Sequence, residues 1–205
     1  MADSFLKFMS CQQFDEDNQV TDKGSKATLG ASFWVPSPQA GWFYLGMYAT
    51  PNYNNPPSPA GPIWVVQSSD TSGTDTNPPL VRPDAFVQTW TCVDGDQSSN
   101  LGIYSLQAPP GYVGLGSIAV PDFKTPPELE DYPELMCVRQ DLCKQVTVES
   151  GNVVWTDKGS KAPLGVTVWL LPGAQTCYAV ANQSGGYPES YQVWDLKGAP
   201  NLTQR

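Results

Sequence analysis

Thr21-Asp22-Lys23-Gly24-Ser25-Lys26-Ala27 recurs letter for letter as Thr156-Asp157-Lys158-Gly159-Ser160-Lys161-Ala162. Each copy carries groups able to accept hydrogen bonds from sugar hydroxyls: Asp22, Gly24 and Ser25 in the first, Asp157, Gly159 and Ser160 in the second. An Asp two residues before a Gly also bonds the amides of its own turn, and that structural reading is the stronger of the two. Asp94-Gly95-Asp96 and the residues after it alternate oxygen side chains as calcium loops do. A sixth-place Gly and a closing Glu are missing, so a polar turn is the default. Glu128, Glu130, Asp131 and Glu134 could pair carboxylates for glycoside hydrolysis, yet they sit in a proline-bounded loop where acids are ordinarily solvated. Cys137 and Cys143, with no second pair, fall outside structural zinc spacing. Flat rings at Trp42 and Tyr112 complete the candidate ligand-binding set, because sugar faces stack on them.

Composition removes many alternatives. Histidine is absent from all 205 residues, so no imidazole base, imidazole ligand or Ser-His-Asp triad exists in the chain. A net charge of -9, from 11 basic and 20 acidic residues, opposes binding to a phosphate backbone, and nucleic acid is excluded as a partner. No apolar run reaches the length of a transmembrane segment, and the N-terminus lacks the pattern of a signal peptide, which predicts cytosolic residence or leaderless release. Five cysteines at irregular spacing predict thiols rather than a disulfide framework. Neither a cofactor nor a metal is called for, and no catalytic residues are assigned.

The elements that must carry these residues are strands. Gly and Pro total 38 residues while charged residues are 15%, a balance that disfavours helix. The repeated heptads run into Leu29-Gly30-Ala31-Ser32-Phe33-Trp34 and Leu164-Gly165-Val166-Thr167-Val168-Trp169. A degenerate middle copy is placed by the same seven-residue offset, from Asp94 to Leu101. Gly41-Trp42-Phe43-Tyr44-Leu45-Gly46 is answered by Gly111-Tyr112-Val113-Gly114-Leu115-Gly116, and by a shortened Pro172-Gly173-Ala174. Closing runs lie at 63–67, 135–139 and 191–194, and lead-in strands at 5–9, 86–90 and 145–149. Three β-units result, approximately 10–80, 81–144 and 145–205, with the N-terminal strand closing the fold. None could cover its apolar face alone, so they pack around a shared pseudo-threefold axis as one all-β domain. Of Trp34, Trp42, Tyr44, Tyr48, Tyr112 and Trp169, about two thirds are expected inside, and Tyr53 and Tyr187 at the surface.

The chain resembles the fungal and plant family named after vacuolar protein sorting-associated protein 62. The resemblance rests on Trp155-Thr156-Asp157-Lys158-Gly159-Ser160, Trp34-Val35-Pro36, and Pro110-Gly111-Tyr112-Val113-Gly114-Leu115-Gly116. It is also similar to units of the adaptor-binding region of bridge-like lipid-transfer proteins and to prism folds that accompany perforin-like proteins. The resemblance implies a β-prism-like architecture and no defined chemistry. Three similar turns on one scaffold favour a non-enzymatic, lectin-like module that binds carbohydrate, with avidity from linked sites. The alternative is a protein or membrane adaptor.

Overall fold

The computed structural model describes residues 5–53, 63–70, 75–93, 99–182 and 186–200. The first unit holds β1 (Leu6–Cys11), β2 (Val20–Thr21), β3 (Ser32–Trp34), β4 (Tyr48–Thr50) and β5 (Ile63–Ser68). The second holds β6 (Leu80–Val81), β7 (Ala85–Thr91), β8 (Gly102–Gln107), β9 (Tyr112–Val113), β10 (Ser117–Val120) and β11 (Cys137–Arg139). The third holds β12 (Cys143–Glu149), β13 (Val153–Thr156), β14 (Gly165–Leu170), β15 (Cys177–Asn182) and β16 (Ser190–Leu196). Helical structure among the described residues is confined to three-residue 3-10 turns. Prolines and glycines keep the strands short by removing ladder donors and bending the chain.

Each unit builds two sheets. Its middle strands form one, β2-β3-β4, β7-β8-β10 or β13-β14-β15. Its first and last strands form the other, β1-β5, β6-β11 with β9 added, or β12-β16. The molecule is therefore a pseudo-threefold β-prism, and its core forms two clusters. One gathers Phe33, Trp34, Trp90, Ile103, Trp155 and Val168 of the middle strands together with Ile63 and Cys137, and the other gathers Leu45, Val66, Leu115, Val138, Val148 and Trp169.

At the axis two Leu-Gly pairs meet. A Cβ on Gly46 would lie 2.7 Å from the Gly116 Cα, and one on Gly116 only 2.6 Å from the Gly46 Cα, so the backbones touch where a side chain would stand. Met47 N–H donates to the Ser117 carbonyl at 3.1 Å, and Cys177 N–H donates to that of Met47 at 2.7 Å. Thr176 Oγ1 donates to the Leu115 carbonyl. The shortened third segment is tied down differently. In the first two units Phe43 pairs with Val66 and Val113 with Val138 through the backbone. In the third, the Asp195 carboxylate accepts from Gly173 N–H at 2.6 Å and Ala174 N–H at 2.8 Å.

Three sequence expectations change. The middle copy is in register not through Asp94 but through Cys92: Cys92 N–H donates to Leu101, as Asp22 N–H does to Ala31 and Asp157 N–H to Val166. All three pairs are nine residues apart, and the Asp-to-Leu offset misled because the middle turn replaces its Asp. Consequently 86–90 belongs to β7, the counterpart of β13, and the lead-in strand of the second unit is β6. The N-terminal strand β1 pairs with β5 of its own unit and does not bridge to the last. Of the six aromatics expected mostly inside, Trp34, Tyr44 and Trp169 are buried, while Trp42, Tyr48 and Tyr112 are half-buried against the core.

Candidate functional site

The repeated turns are built identically. Asp22 Oδ1 accepts from Ala31 N–H at 2.6 Å and Oδ2 from Ser25 Oγ at 2.8 Å. Asp157 Oδ1 accepts from Val166 N–H at 2.7 Å and Oδ2 from Ser160 Oγ at 2.9 Å. Each serine hydroxyl then receives an amide two residues on, from Ala27 or Ala162, at 3.1 Å. Gly24 and Gly159 supply the positive φ, 90° and 95°, that lets the chain reverse. Asp22, Ser25, Asp157 and Ser160 are all buried.

Tyr53 and Tyr187 complete the equivalence. Each hydrogen-bonds the carboxylate of its turn, and the Tyr53 ring packs directly on Gly30. Tyr187 Oη donates to Asp157 Oδ1 at 3.1 Å, and the Tyr53 hydroxyl meets Asp22. Burial, together with the carboxylate beneath, pushes both phenols up to about 12. Both hydroxyls are thus turned to a buried carboxylate, although Tyr53 is exposed and Tyr187 half-buried. The middle turn has its own solution: Leu101 N–H donates to Ser99 Oγ at 3.3 Å in place of an Asp oxygen. Of the calcium-like run from Asp94 to Asn100, residues 94–98, including Asp94 and Asp96, lie outside the described residues.

Trp42 and Tyr112 are not part of the Asp turns. They follow Gly41 and Gly111, at φ 82° and 85°, in segments hydrogen-bonded to the closing strands. Tyr112 Oη donates to the Pro78 carbonyl at 2.7 Å.

The threefold repetition breaks at one seam between units. Trp155 Nε1 donates to the Leu29 carbonyl at 2.8 Å, tying the third unit to the first. Trp90 Nε1 donates to the Leu164 carbonyl at 2.7 Å, tying the second to the third. The same register position in the first unit, opposite Phe33, is Val20, which has no donor and less bulk. Here, between the first and second units, a cleft of about 600 Å³ opens, with Val20 on its wall. Such a volume is in the usual range for a small-ligand site.

The lining is mixed: an apolar floor that includes Val35, Met47 and Val120 is rimmed by acids and amides, Asp15, Asp17, Asn18 and Gln19 from the first unit and Asp122 and Asp131 from the second, with Tyr132 and Pro126 as further apolar faces. No Lys or Arg lines it. Asp15 is held by its own turn, accepting from Asn18 Nδ2 at 2.7 Å. The far wall is fixed by Arg82, whose guanidinium donates to the carbonyls of Pro133, at 3.0 Å, and Leu129. Tyr132 stands edge-on to Phe86, centroids 5.6 Å apart, and burial pushes its phenol up to about 12, so at neutral pH it remains a donor. Of the four acids singled out in the sequence, only Asp131 lines the cleft.

Among the described residues no group of three Cys, Asp or Glu is placed to hold a metal. All five cysteines are buried thiols, and burial pushes Cys137, Cys143 and Cys177 up to about 12, away from thiolate chemistry. No helix among the described residues is long and apolar enough to cross a membrane.

The solved crystal structure of GNIP1Aa from Chromobacterium piscinae is similar to this chain, with a TM-score of 0.76 at 19% identity. The match covers 98% of this chain and 39% of that one, so this protein spans about two fifths of the length of GNIP1Aa. At that identity the likeness concerns the fold. No curated protein matches the sequence. The family model described as vacuolar protein sorting-associated protein 62 matches residues 5–194. With nearly the whole prism inside that match, the chain belongs to the vacuolar protein sorting-associated protein 62 family.

Proposed function

We propose that this protein is a non-enzymatic carbohydrate-binding module that takes its ligand in the cleft between the first and second units. The observation that carries the proposal is the cleft's position at the one seam without a tryptophan, lined by carboxylates, amides and a tyrosine. Sugar hydroxyls donate to carboxylates and accept from amides, and a pyranose face rests on Tyr132 and Pro126. With four aspartates and no cation on the lining, the cleft suits neutral or amino sugars and repels sialylated or sulfated ones. The two identical turns serve this reading as scaffold, because the Asp22 and Asp157 oxygens are already engaged within the fold, so one site replaces the linked sites expected from repetition.

The test is a broad glycan array, run with calcium and with chelator. Selective binding of neutral or amino glycans in both conditions is the expected result. The variant Val20→Trp restores the bulk found at the other two seams and is expected to lower affinity at least tenfold, with its melting temperature measured alongside to separate a filled cleft from a lost fold. Binding that survives Val20→Trp places the ligand elsewhere, and a blank array removes the carbohydrate reading.

A further inference from the structure

The chain is strongly acidic, yet four of its eleven basic residues stand in the two identical turns: Lys23, Lys26, Lys158 and Lys161. The structure brings those turns together. Thr28 N–H and Oγ1 both donate to the Lys158 carbonyl, at 2.8 and 3.0 Å. A Cβ on Gly159 would come within 3.1 Å of the Lys26 carbonyl. All four lysines are exposed, and none has an ion pair among the described residues. The only acids in the two turns, Asp22 and Asp157, are buried beneath them.

The same end carries apolar side chains that soluble surfaces normally hide. Leu29 is 54% exposed and Leu164 47%. Their carbonyls are fixed by the Trp155 and Trp90 indoles, so rigid backbone points both leucines outward. Val93, next to the middle turn in sequence, and Tyr53, bonded to the Asp22 turn, are exposed as well. Two exposed leucines on the same turns as four exposed lysines match the cross-section of an anionic bilayer, which takes leucine at the acyl boundary and ammonium groups among the headgroups. A free polyanion would leave the leucines in water, whereas a bilayer takes ammonium groups and leucines together.

We propose that this end of the prism is a docking surface for an anionic lipid bilayer. It is independent of the glycan reading, because the cleft contains none of these residues. The remaining acidic surface is repelled by the same bilayer, so the molecule lands turns first.

The experiment is co-sedimentation of the full chain with vesicles of phosphatidylcholine alone and of equimolar phosphatidylserine and phosphatidylcholine, at low and physiological salt. Binding to the anionic vesicles only, weakened by salt, is expected. Lys23→Ser with Lys158→Ser should weaken it about thirtyfold, about fivefold per lysine. Leu29→Ser with Leu164→Ser should weaken it at least tenfold at unchanged charge. All four positions are exposed, and circular dichroism checks that both variants fold. Equal binding to neutral vesicles, binding unmoved by the leucine variant, binding unmoved by the lysine variant, or no sedimentation would each overturn the proposal.

Discussion

At the residue scale the repeated aspartates hold the fold. Asp157 accepts from a buried amide, a buried serine and a tyrosine, so Asp157→Ala strands Val166 N–H and Ser160 Oγ and should cost about 3 kcal/mol in urea unfolding. Tyr187→Phe removes one bond to that carboxylate and should cost about 1 kcal/mol. The two phenols also set an alkaline limit. Their folded pKa values are raised to about 12, against about 10 in the unfolded chain. Their contribution is therefore complete below about pH 10 and is lost as the pH rises towards about 12. A melting-temperature series across that window should fall less steeply for Tyr53→Phe with Tyr187→Phe than for the parent. The inward role of Asp22 and Asp157 was legible from the Asp-x-Gly spacing. That of the tyrosines was not, because each sits some thirty residues from its carboxylate and reaches it only once β4 or β15 has paired.

At the scale of elements, close approach matters more than turn geometry. Gly116 faces backbone on all sides, 2.6 Å from the Gly46 Cα and 2.7 Å from the Leu45 carbonyl as measured from a built Cβ. Neither can move without separating two units, so Gly116→Ala should cost about 3 kcal/mol or more. Gly111 has positive φ but open space around it, and Gly111→Ala should cost about 1 kcal/mol. Urea midpoints of the two variants compare these costs directly. Strand existence was readable from apolar alternation and the Leu-Gly echoes. The middle register was not, since Cys92 stands where the other turns have Asp, and the nearby Asp94 offered a false match. Only the amide pairing of Cys92 with Leu101 separates the two alignments.

For the whole molecule, both proposed surfaces lie where the threefold pattern fails or is overloaded. One substitution in the triplet Val20, Trp90 and Trp155 turns a seam into a cleft. Two copies of one heptad gather four lysines at one end of a protein of net charge -9. The repeat was visible in sequence, but neither consequence was. The cleft depends on knowing that Val20 occupies a tryptophan's place, which requires the register. The lysine and leucine end depends on the first and third turns being neighbours, which requires closure of the ring.

The pairing of each unit's first strand with its last has a kinetic consequence. Every named sheet is completed within a single unit, so among the described strands the largest loop a named ladder must close is one unit long. The backbone bonds between units, such as Cys177 N–H to Met47 and Trp64 N–H to Ala174, the glycine contact and the two indole bonds are then made last, as the units meet and cover the apolar faces that none covers alone. Mutations there should chiefly speed unfolding, while those within a ladder should slow folding.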